Sequence, residues 1–66
     1  MPRIAKDPAE RRNEIMDAAM ELFSTKGYEH TSVRDIVNKI GVAQGTFYYY
    51  FTSKEEVATA VHERSL

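Results

Sequence analysis

Apolar residues recur at helical spacing through the first third of the chain. The stripe comprises Ile15, Ala18, Ala19, Leu22 and Phe23. Residues three and four apart share one face of an α-helix, so this stripe predicts an amphipathic helix. The helix is expected to run from Pro8 to about Lys26, with Asp7 as its N-cap and Gly27 just beyond its end.

Two shorter segments follow, on either side of Gly41. The apolar positions of the first are Val33, Ile36, Val37 and Ile40. They predict a helix that ends near Lys39, and Thr31 and Ser32 are both suitable N-caps, so the sequence leaves that choice open. The second helix is expected over about residues 43–50. Two short helices joined by a tight glycine turn are typical of a helix-turn-helix arrangement.

A fourth helix is predicted after Ser53. The pattern Ser-x-x-Glu from Ser53 to Glu56 is a capping-box signature, and Val57 and Val61 then lie four residues apart. Val42 is expected as a buried plug in the preceding turn. No segment alternates between apolar and polar residues, so no strand is predicted. The expected fold class is all-α, a three-helix helix-turn-helix domain plus the start of a fourth, longer helix.

Composition limits the chemistry that the chain can perform. Its 66 residues suffice for one small domain, and it has no cysteine for a disulfide or a thiolate ligand. The longest apolar run is far shorter than a membrane span and no signal peptide is recognised, so the expected location is the cytoplasm. The net charge is −1, but the segment from Ile36 to Lys54 contains Lys39 and Lys54 and no acidic residue. One surface can therefore be mildly positive.

The segment GTFYYYF, residues 45–51, carries the strongest functional signal. Phe47 and Phe51 lie four residues apart and are expected in the core, which leaves the tyrosines at 48–50 fanned over the remaining surface. Gln44 and Thr46 precede them on the outward side, and Gly45 would allow close approach of a partner's backbone. Hydroxyl groups donate to phosphates, and glutamine pairs with an adenine edge. The pattern favours a helix that enters the major groove of DNA.

Other functions fit the residues less well. An enzyme would need a nucleophile with its base, or paired carboxylates in a pocket, and no spacing provides them. His30 and His62 each lack a partner at metal-ligand spacing, so neither a metal nor a cofactor is expected. A helical protein-interaction module with a tyrosine contact patch stays open as the alternative. Arg34 could be only a solvated residue paired with Asp35 or Asn38.

The chain resembles the DNA-binding domain of the TetR family of bacterial transcription regulators. The resemblance lies in the run IMDAAMELFSTKGYEHTSVRDIVNKIGVAQGTFYYYFTSKEEV and extends from about Arg11 to Arg64. It implies a DNA reader whose third helix binds the major groove. Three residues depart from the family pattern: Ala43 replaces the usual Ser, Tyr50 a commoner His, and Val37 the usual Ala.

The resemblance also implies roles for individual residues. The residues expected to read bases are Arg34, Gln44 and Tyr48. Those expected to contact phosphates are Ser32, Thr46, Tyr49, Tyr50 and Lys54. No catalytic, cofactor or metal residue is implied.

The domain organisation follows from the same resemblance. Residues 1–7 are expected to form a flexible basic arm, residues 8–52 the helix-turn-helix domain, and residues 53–66 the start of a linker helix to a ligand-binding domain that lies outside this sequence. The longer parent is expected to be a homodimeric repressor that binds a palindromic operator and a small-molecule inducer. The 66-residue fragment alone is expected to be a monomer or a weak dimer.

Overall fold

A computed structural model describes residues 7–66, and the basic residues Arg3 and Lys6 of the predicted arm lie outside the described residues. Within residues 7–66 four helices follow one another: α1 (Pro8–Thr25), α2 (Val33–Ile40), α3 (Gln44–Tyr50) and α4 (Lys54–Arg64). No strand occurs between residues 7 and 66. The predicted all-α class is confirmed.

Helix α1 begins and ends at the predicted signals. The Asp7 carboxylate accepts a hydrogen bond from the Ala9 N–H at 3.1 Å, and Pro8 occupies the first turn, where a missing N–H costs nothing. At the other end the Lys26 N–H donates to the Leu22 carbonyl at 2.8 Å. Gly27 follows with φ of 93°, a conformation that glycine adopts without strain.

The structure decides which residue caps α2. Ser32 is the N-cap, because its hydroxyl accepts from the Asp35 N–H at 3.0 Å while the Asp35 carboxylate accepts from the Ser32 N–H at 2.9 Å. Thr31 is buried instead, and its hydroxyl donates to the Gly27 carbonyl at 2.7 Å. It therefore satisfies the C-terminal end of α1 and not the start of α2. Gly41, with φ of 72°, ends α2.

The caps of α3 and α4 differ in quality. Ala43 precedes α3 and provides no side-chain hydrogen bond, as expected where it replaces serine. Ser53 caps α4, with its hydroxyl accepting from the Glu56 N–H at 3.1 Å. The Glu56 carboxylate accepts from the Thr52 N–H at 2.6 Å, one residue before the position of an ordinary capping box.

Helix α1 packs against α2 and α4, and α2 packs against α3. The buried core comprises Ile15, Met16, Ala18, Ala19, Ile36, Val37, Phe47, Phe51 and Val57. Phe47 and Phe51 are fully buried, as predicted, and hold α3 and the following turn on the other helices. Val42 is half-buried and packs against this core, so the expectation of a buried plug is only partly met.

No helix among residues 7–66 has the length and apolar character that a membrane crossing requires.

Candidate nucleic-acid interface

The outer face of α3 is uncharged and carries hydrogen-bonding side chains. Gln44, Gly45, Tyr48 and Tyr49 are exposed, and the exposed fractions of Tyr48 and Tyr49 are 51% and 79%. The opposite face is closed by Phe47. We call the exposed residues 44, 45, 48 and 49 the α3 outer face.

Ring contacts hold the tyrosines of α3 in place. Tyr48 lies edge-on to Phe47, with ring centroids 5.3 Å apart and an interplanar angle of 83°. Tyr49 and Tyr50 make a similar contact at 4.9 Å. Such edge-to-face pairs are favourable for aromatic rings. The hydroxyls of these three tyrosines have no hydrogen-bond partner among residues 7–66, so they are available to a ligand.

The fold does not require a glycine at position 45. A Cβ added to Gly45 would meet no atom within 4 Å, and its φ lies outside the left-handed region. Gly27 and Gly41, by contrast, both have positive φ. A helical glycine without a packing or conformational reason loses stability relative to alanine. Gly45 therefore leaves open space on the α3 outer face at a cost to the helix.

Most cations in the described part of the chain are neutralised by a carboxylate. Of the nine Lys and Arg residues, two precede residue 7, which leaves seven. Four of these seven form ion pairs at 2.6–3.3 Å, namely Arg11–Glu14, Lys26–Asp35, Lys39–Glu21 and Arg64–Asp17. Lys39 thus adds little net charge to the mildly positive segment that the sequence suggested.

Three cations keep their charge uncompensated within residues 7–66. Arg34 is exposed on α2 and has no side-chain partner there. The alternative pairing of Arg34 with Asp35 is not formed; the Asp35 carboxylate accepts from Lys26 and from the Ser32 N–H. The other two are Arg12 and Lys54, whose partners are neutral.

The partners of Arg12 and Lys54 are aromatic rings and soft or neutral acceptors. The Arg12 guanidinium lies 4.9 Å from the centroid of Phe51 and 3.4 Å from the sulfur of Met16. The Lys54 ammonium lies 4.1 Å from the centroid of the Tyr28 ring and donates to the Tyr28 carbonyl at 2.7 Å. Neither arrangement cancels the positive charge.

The predicted site residues do not all have the same accessibility. Ser32 and Arg34 are exposed at the start of α2, with Gln44, Tyr48 and Tyr49 exposed on α3. The remaining three, Thr46, Tyr50 and Lys54, are half-buried. Sequence reasoning missed Tyr28, because 26 residues separate it from Lys54 and no local spacing signals their contact.

The start of α2 also carries one strongly acidic group. The ammonium of Lys26, and then the Ser32 N–H, hold the pKa of the Asp35 carboxyl down at about 2. Asp35 is thus charged at neutral pH, but its charge is balanced by Lys26 at 2.7 Å. The Ser32 hydroxyl accepts from the Asp35 N–H and keeps its own proton to donate outward.

Residues 7–66 contain no group of three or more His, Asp or Glu that could hold a metal ion. No pocket forms within the same residues. The groups that the described surface exposes include hydroxyl, amide and cationic side chains.

Comparison with known proteins finds similar sequences among helix-turn-helix regulators. Residues 15–61 match the family described as bacterial regulatory proteins, tetR family. The HTH-type transcriptional regulator YvdT of Bacillus subtilis is 44% identical over 61 residues, which are 92% of this chain and 31% of that protein. The HTH-type transcriptional repressor KstR2 of Mycolicibacterium smegmatis is 37% identical over 60 residues, which are 91% of this chain and 29% of that protein.

A third relative, the HTH-type transcriptional regulator TcmR of Streptomyces glaucescens, is 47% identical over 47 residues. Those residues are 71% of this chain and 21% of that protein. The chain spans about a third or less of the length of these curated relatives.

Proposed function

This chain belongs to the TetR family of bacterial regulatory proteins, and we propose that it places α3 in the major groove of a palindromic operator. The family consists of DNA-binding regulators and not of enzymes, so recognition and not catalysis is its task. The observation that carries the proposal is the α3 outer face. It combines exposed amide and phenol groups without partners among residues 7–66, and the preceding helix α2 carries Arg34, exposed and without a side-chain partner there.

Base reading is assigned to Gln44, Tyr48 and Arg34. Gln44 is the first residue of α3 and is exposed, so its amide is free to pair with an adenine edge. The half-exposed ring of Tyr48 suits contact with a thymine methyl. Arg34 keeps all its guanidinium donors available, and a guanine edge accepts two of them.

Phosphate contacts would fix the helix in the groove. The residues assigned to them are Ser32, Thr46, Tyr49, Tyr50 and Lys54. Their hydroxyl and ammonium groups are phosphate donors of ordinary type and carry no base information. Tyr49 is the most exposed of the tyrosines and the best placed to reach outward.

The larger context follows from the relatives. KstR2 is a repressor, so we propose that the parent of this sequence represses transcription as a homodimer and releases DNA when a small molecule binds outside residues 1–66. Two-fold symmetry would match half-sites about one helical turn apart, roughly 34–36 Å, or a multiple of that distance. With chromosomal DNA as its ligand, the protein would act in the cytoplasm, at the nucleoid.

A residue-resolved NMR titration with a generic DNA duplex tests the proposal without knowledge of the operator. At low salt, shifts are expected at Arg34, along residues 44–50 and at Lys54, and they should fade as salt rises, because phosphate binding releases counterions. A folded sample without shifts at low salt would overturn the proposal. The exposed tyrosines would then be a protein contact patch, since aromatic rings are also enriched at protein interfaces.

Two variants separate base contacts from phosphate contacts. Binding to a randomised duplex library is measured for Gln44→Ala and Tyr49→Phe. Loss of the Tyr49 hydroxyl should weaken binding equally on all sequences, whereas loss of the Gln44 amide should change the preference at one base pair by roughly 1–3 kcal/mol. A uniform loss for Gln44→Ala would refute its base-reading role.

A further inference from the structure

A contact between Lys54 and Tyr28 joins the start of α4 to the connector between α1 and α2. The Lys54 ammonium donates to the Tyr28 carbonyl at 2.7 Å and lies over the Tyr28 ring, 4.1 Å from its centroid. We propose that Tyr28 is a positioning residue for DNA binding, which holds the charged Lys54 side chain in place for a phosphate. This inference rests on the proposed DNA-binding function.

The connector is a firm support for Lys54. The Thr31 side chain is buried, and its hydroxyl donates to the Gly27 carbonyl at 2.7 Å and to that of Leu22 at 3.3 Å. The Tyr28 carbonyl accepts from the Thr31 N–H at 3.2 Å as well as from Lys54, so both of its lone pairs are used. The connector is thus fixed to the end of α1 independently of Lys54.

The ring of Tyr28 is fixed on its own account. It packs against Phe23 of α1, with ring centroids 4.9 Å apart and an interplanar angle of 58°. Burial, and then the carboxylates of Glu55 and Glu29, raise the pKa of the Tyr28 phenol. The ring therefore stays neutral at physiological pH and presents an uncharged face to Lys54.

The contact with Tyr28 restricts the conformation of the Lys54 side chain without neutralising its positive charge. Lys54 forms no ion pair within residues 7–66, whereas Lys26 and Lys39 each lie within 3.3 Å of a carboxylate. An ammonium has three N–H donors, and the Tyr28 carbonyl takes one of them. The others remain for an anion. A free lysine side chain loses rotamer entropy when it binds, and a side chain held beforehand loses less.

The proposal is distinct from a purely structural role of the contact. If Tyr28 acts on DNA binding through Lys54, its removal should matter only while Lys54 is present. If Tyr28 acts only through its packing on Phe23, which shapes the connector, its removal should weaken binding to the same extent without the Lys54 charge. A double-mutant cycle separates these two cases.

The cycle uses Tyr28→Leu, Lys54→Met and the double variant, with fluorescence anisotropy on a generic duplex over a range of salt concentrations. Tyr28→Leu removes the ring under Lys54 and keeps the main-chain carbonyl, so it should weaken binding about three- to tenfold through looser ordering of the Lys54 side chain. It should have no effect in the Lys54→Met background. Lys54→Met itself should reduce the slope of log K against log salt by about 0.9, the value for one phosphate. Tyr28→Phe keeps the ring and the carbonyl and should bind like the wild type.

An equal loss of DNA affinity on Tyr28→Leu in the wild-type and the Lys54→Met backgrounds would overturn the inference and leave the proposed function standing. A wild-type chain that shows no salt-dependent binding overturns both. Circular dichroism establishes that each variant is folded. If Tyr28→Leu unfolds, a pentafluorinated phenylalanine at position 28 keeps the shape and removes the negative ring face. Affinity equal to that of Tyr28→Phe would then contradict the inference.

Discussion

At the scale of single residues, Gly45 is the position where the fold and the proposed function ask for different side chains. The backbone at Gly45 is compatible with any residue, and an added Cβ would enter open space. Alanine would stabilise the helix, because glycine loses more backbone entropy on folding. The same methyl group would hinder the close approach of a DNA backbone to the α3 outer face.

We expect Gly45→Ala to stabilise the fold and to weaken DNA binding at the same time. Gly45 is the second residue of α3, so the free energy of unfolding, measured by urea denaturation, should rise by less than the roughly 0.5–1 kcal/mol gained in the middle of a helix. Binding to a duplex should weaken about three- to tenfold, which corresponds to about 0.7–1.4 kcal/mol. The matched control is Thr59→Ala on the exposed face of α4, which should raise stability and leave DNA binding unchanged. Unchanged binding for Gly45→Ala would show that position 45 lies away from the DNA.

The residue scale is also where the sequence was least informative. The α1 stripe omitted Met16, which is buried, whereas Met20 has 42% of its surface exposed. Thr31 and Ser32 are equally suitable caps by residue type. Ser32 is the cap because its N–H donates to the Asp35 carboxylate, whereas the Thr31 hydroxyl donates to the Gly27 carbonyl after α1. The tertiary contacts of long side chains were not predictable from the sequence. Lys54 and Tyr28 are 26 residues apart, and their contact depends on how two helix ends meet.

At the scale of elements, the start of α2 is held to the end of α1 by the Asp35 carboxylate. It accepts from Lys26 at 2.7 Å and from the Ser32 N–H at 2.9 Å, so one group serves both as ion-pair partner and as half of a capping box. This arrangement orients the helix that carries Arg34. The pKa of Asp35, about 2 against an ordinary 3.8, reports how strongly the folded chain favours the charged carboxylate.

We expect Lys26→Met to destabilise the protein at pH 7 and to have progressively less effect as the pH falls from about 4 to about 2. Because the folded-state pKa of Asp35 is depressed, its contribution is present above the unfolded-state value and is lost through about pH 2. NMR titration of the Asp35 carboxyl in Lys26→Met should show its pKa raised toward the ordinary value. Thermal unfolding at several pH values provides the stability.

The control for the Lys26–Asp35 ion pair is the variant Lys39→Met. It removes another α1–α2 ion pair, the contact of Lys39 with Glu21 at 3.3 Å, without touching a cap. A mostly exposed pair of that kind contributes about 0–1 kcal/mol. The pKa of Asp35 should stay at about 2 in this variant. A raised pKa in Lys39→Met, or an unaltered one in Lys26→Met, would contradict the assignment to Lys26.

The elements themselves followed from the sequence to within about one residue. Proline, capping and glycine signals are local, and they set the starts of α1 and α4 and the ends of α1 and α2 where the structure has them. The predicted α3 began one residue early, at Ala43, which has no side-chain cap to mark the boundary. The buried Phe47 and Phe51 were predictable because their spacing fixes one helix face. The positions of DNA contacts remain predictions.

At the scale of the whole molecule, ion pairing distributes the charge unevenly over a chain of net charge −1. Four cations pair with carboxylates among residues 7–66, and Arg12, Arg34 and Lys54 do not. Fewer cations are therefore uncompensated than the residue composition alone suggests. A binding surface with few free cations implies modest affinity for generic DNA and a shallow dependence on salt.

Residues 1–66 alone should be monomeric, because the exposed large apolar side chains of residues 7–66 are scattered over separate elements. Among residues 7–66 the exposed large apolar or aromatic side chains are Met20, Tyr48, Tyr49 and Leu66. They belong to α1, α3 and the last described position, and stable interfaces bury roughly 1,200–2,000 Å². Sedimentation velocity at rising concentration should show one species of monomer mass.

Joining two copies should then strengthen binding to palindromic DNA sites selected from a randomised library. A flexible linker raises the effective concentration of the second reader, and the expected gain is on the order of 10²–10⁴-fold. A single half-site is the control, because on it the linked pair should bind like the free fragment. A tight dimer of the free fragment in sedimentation would overturn the expectation and would mean that residues 1–66 contain an interface of their own.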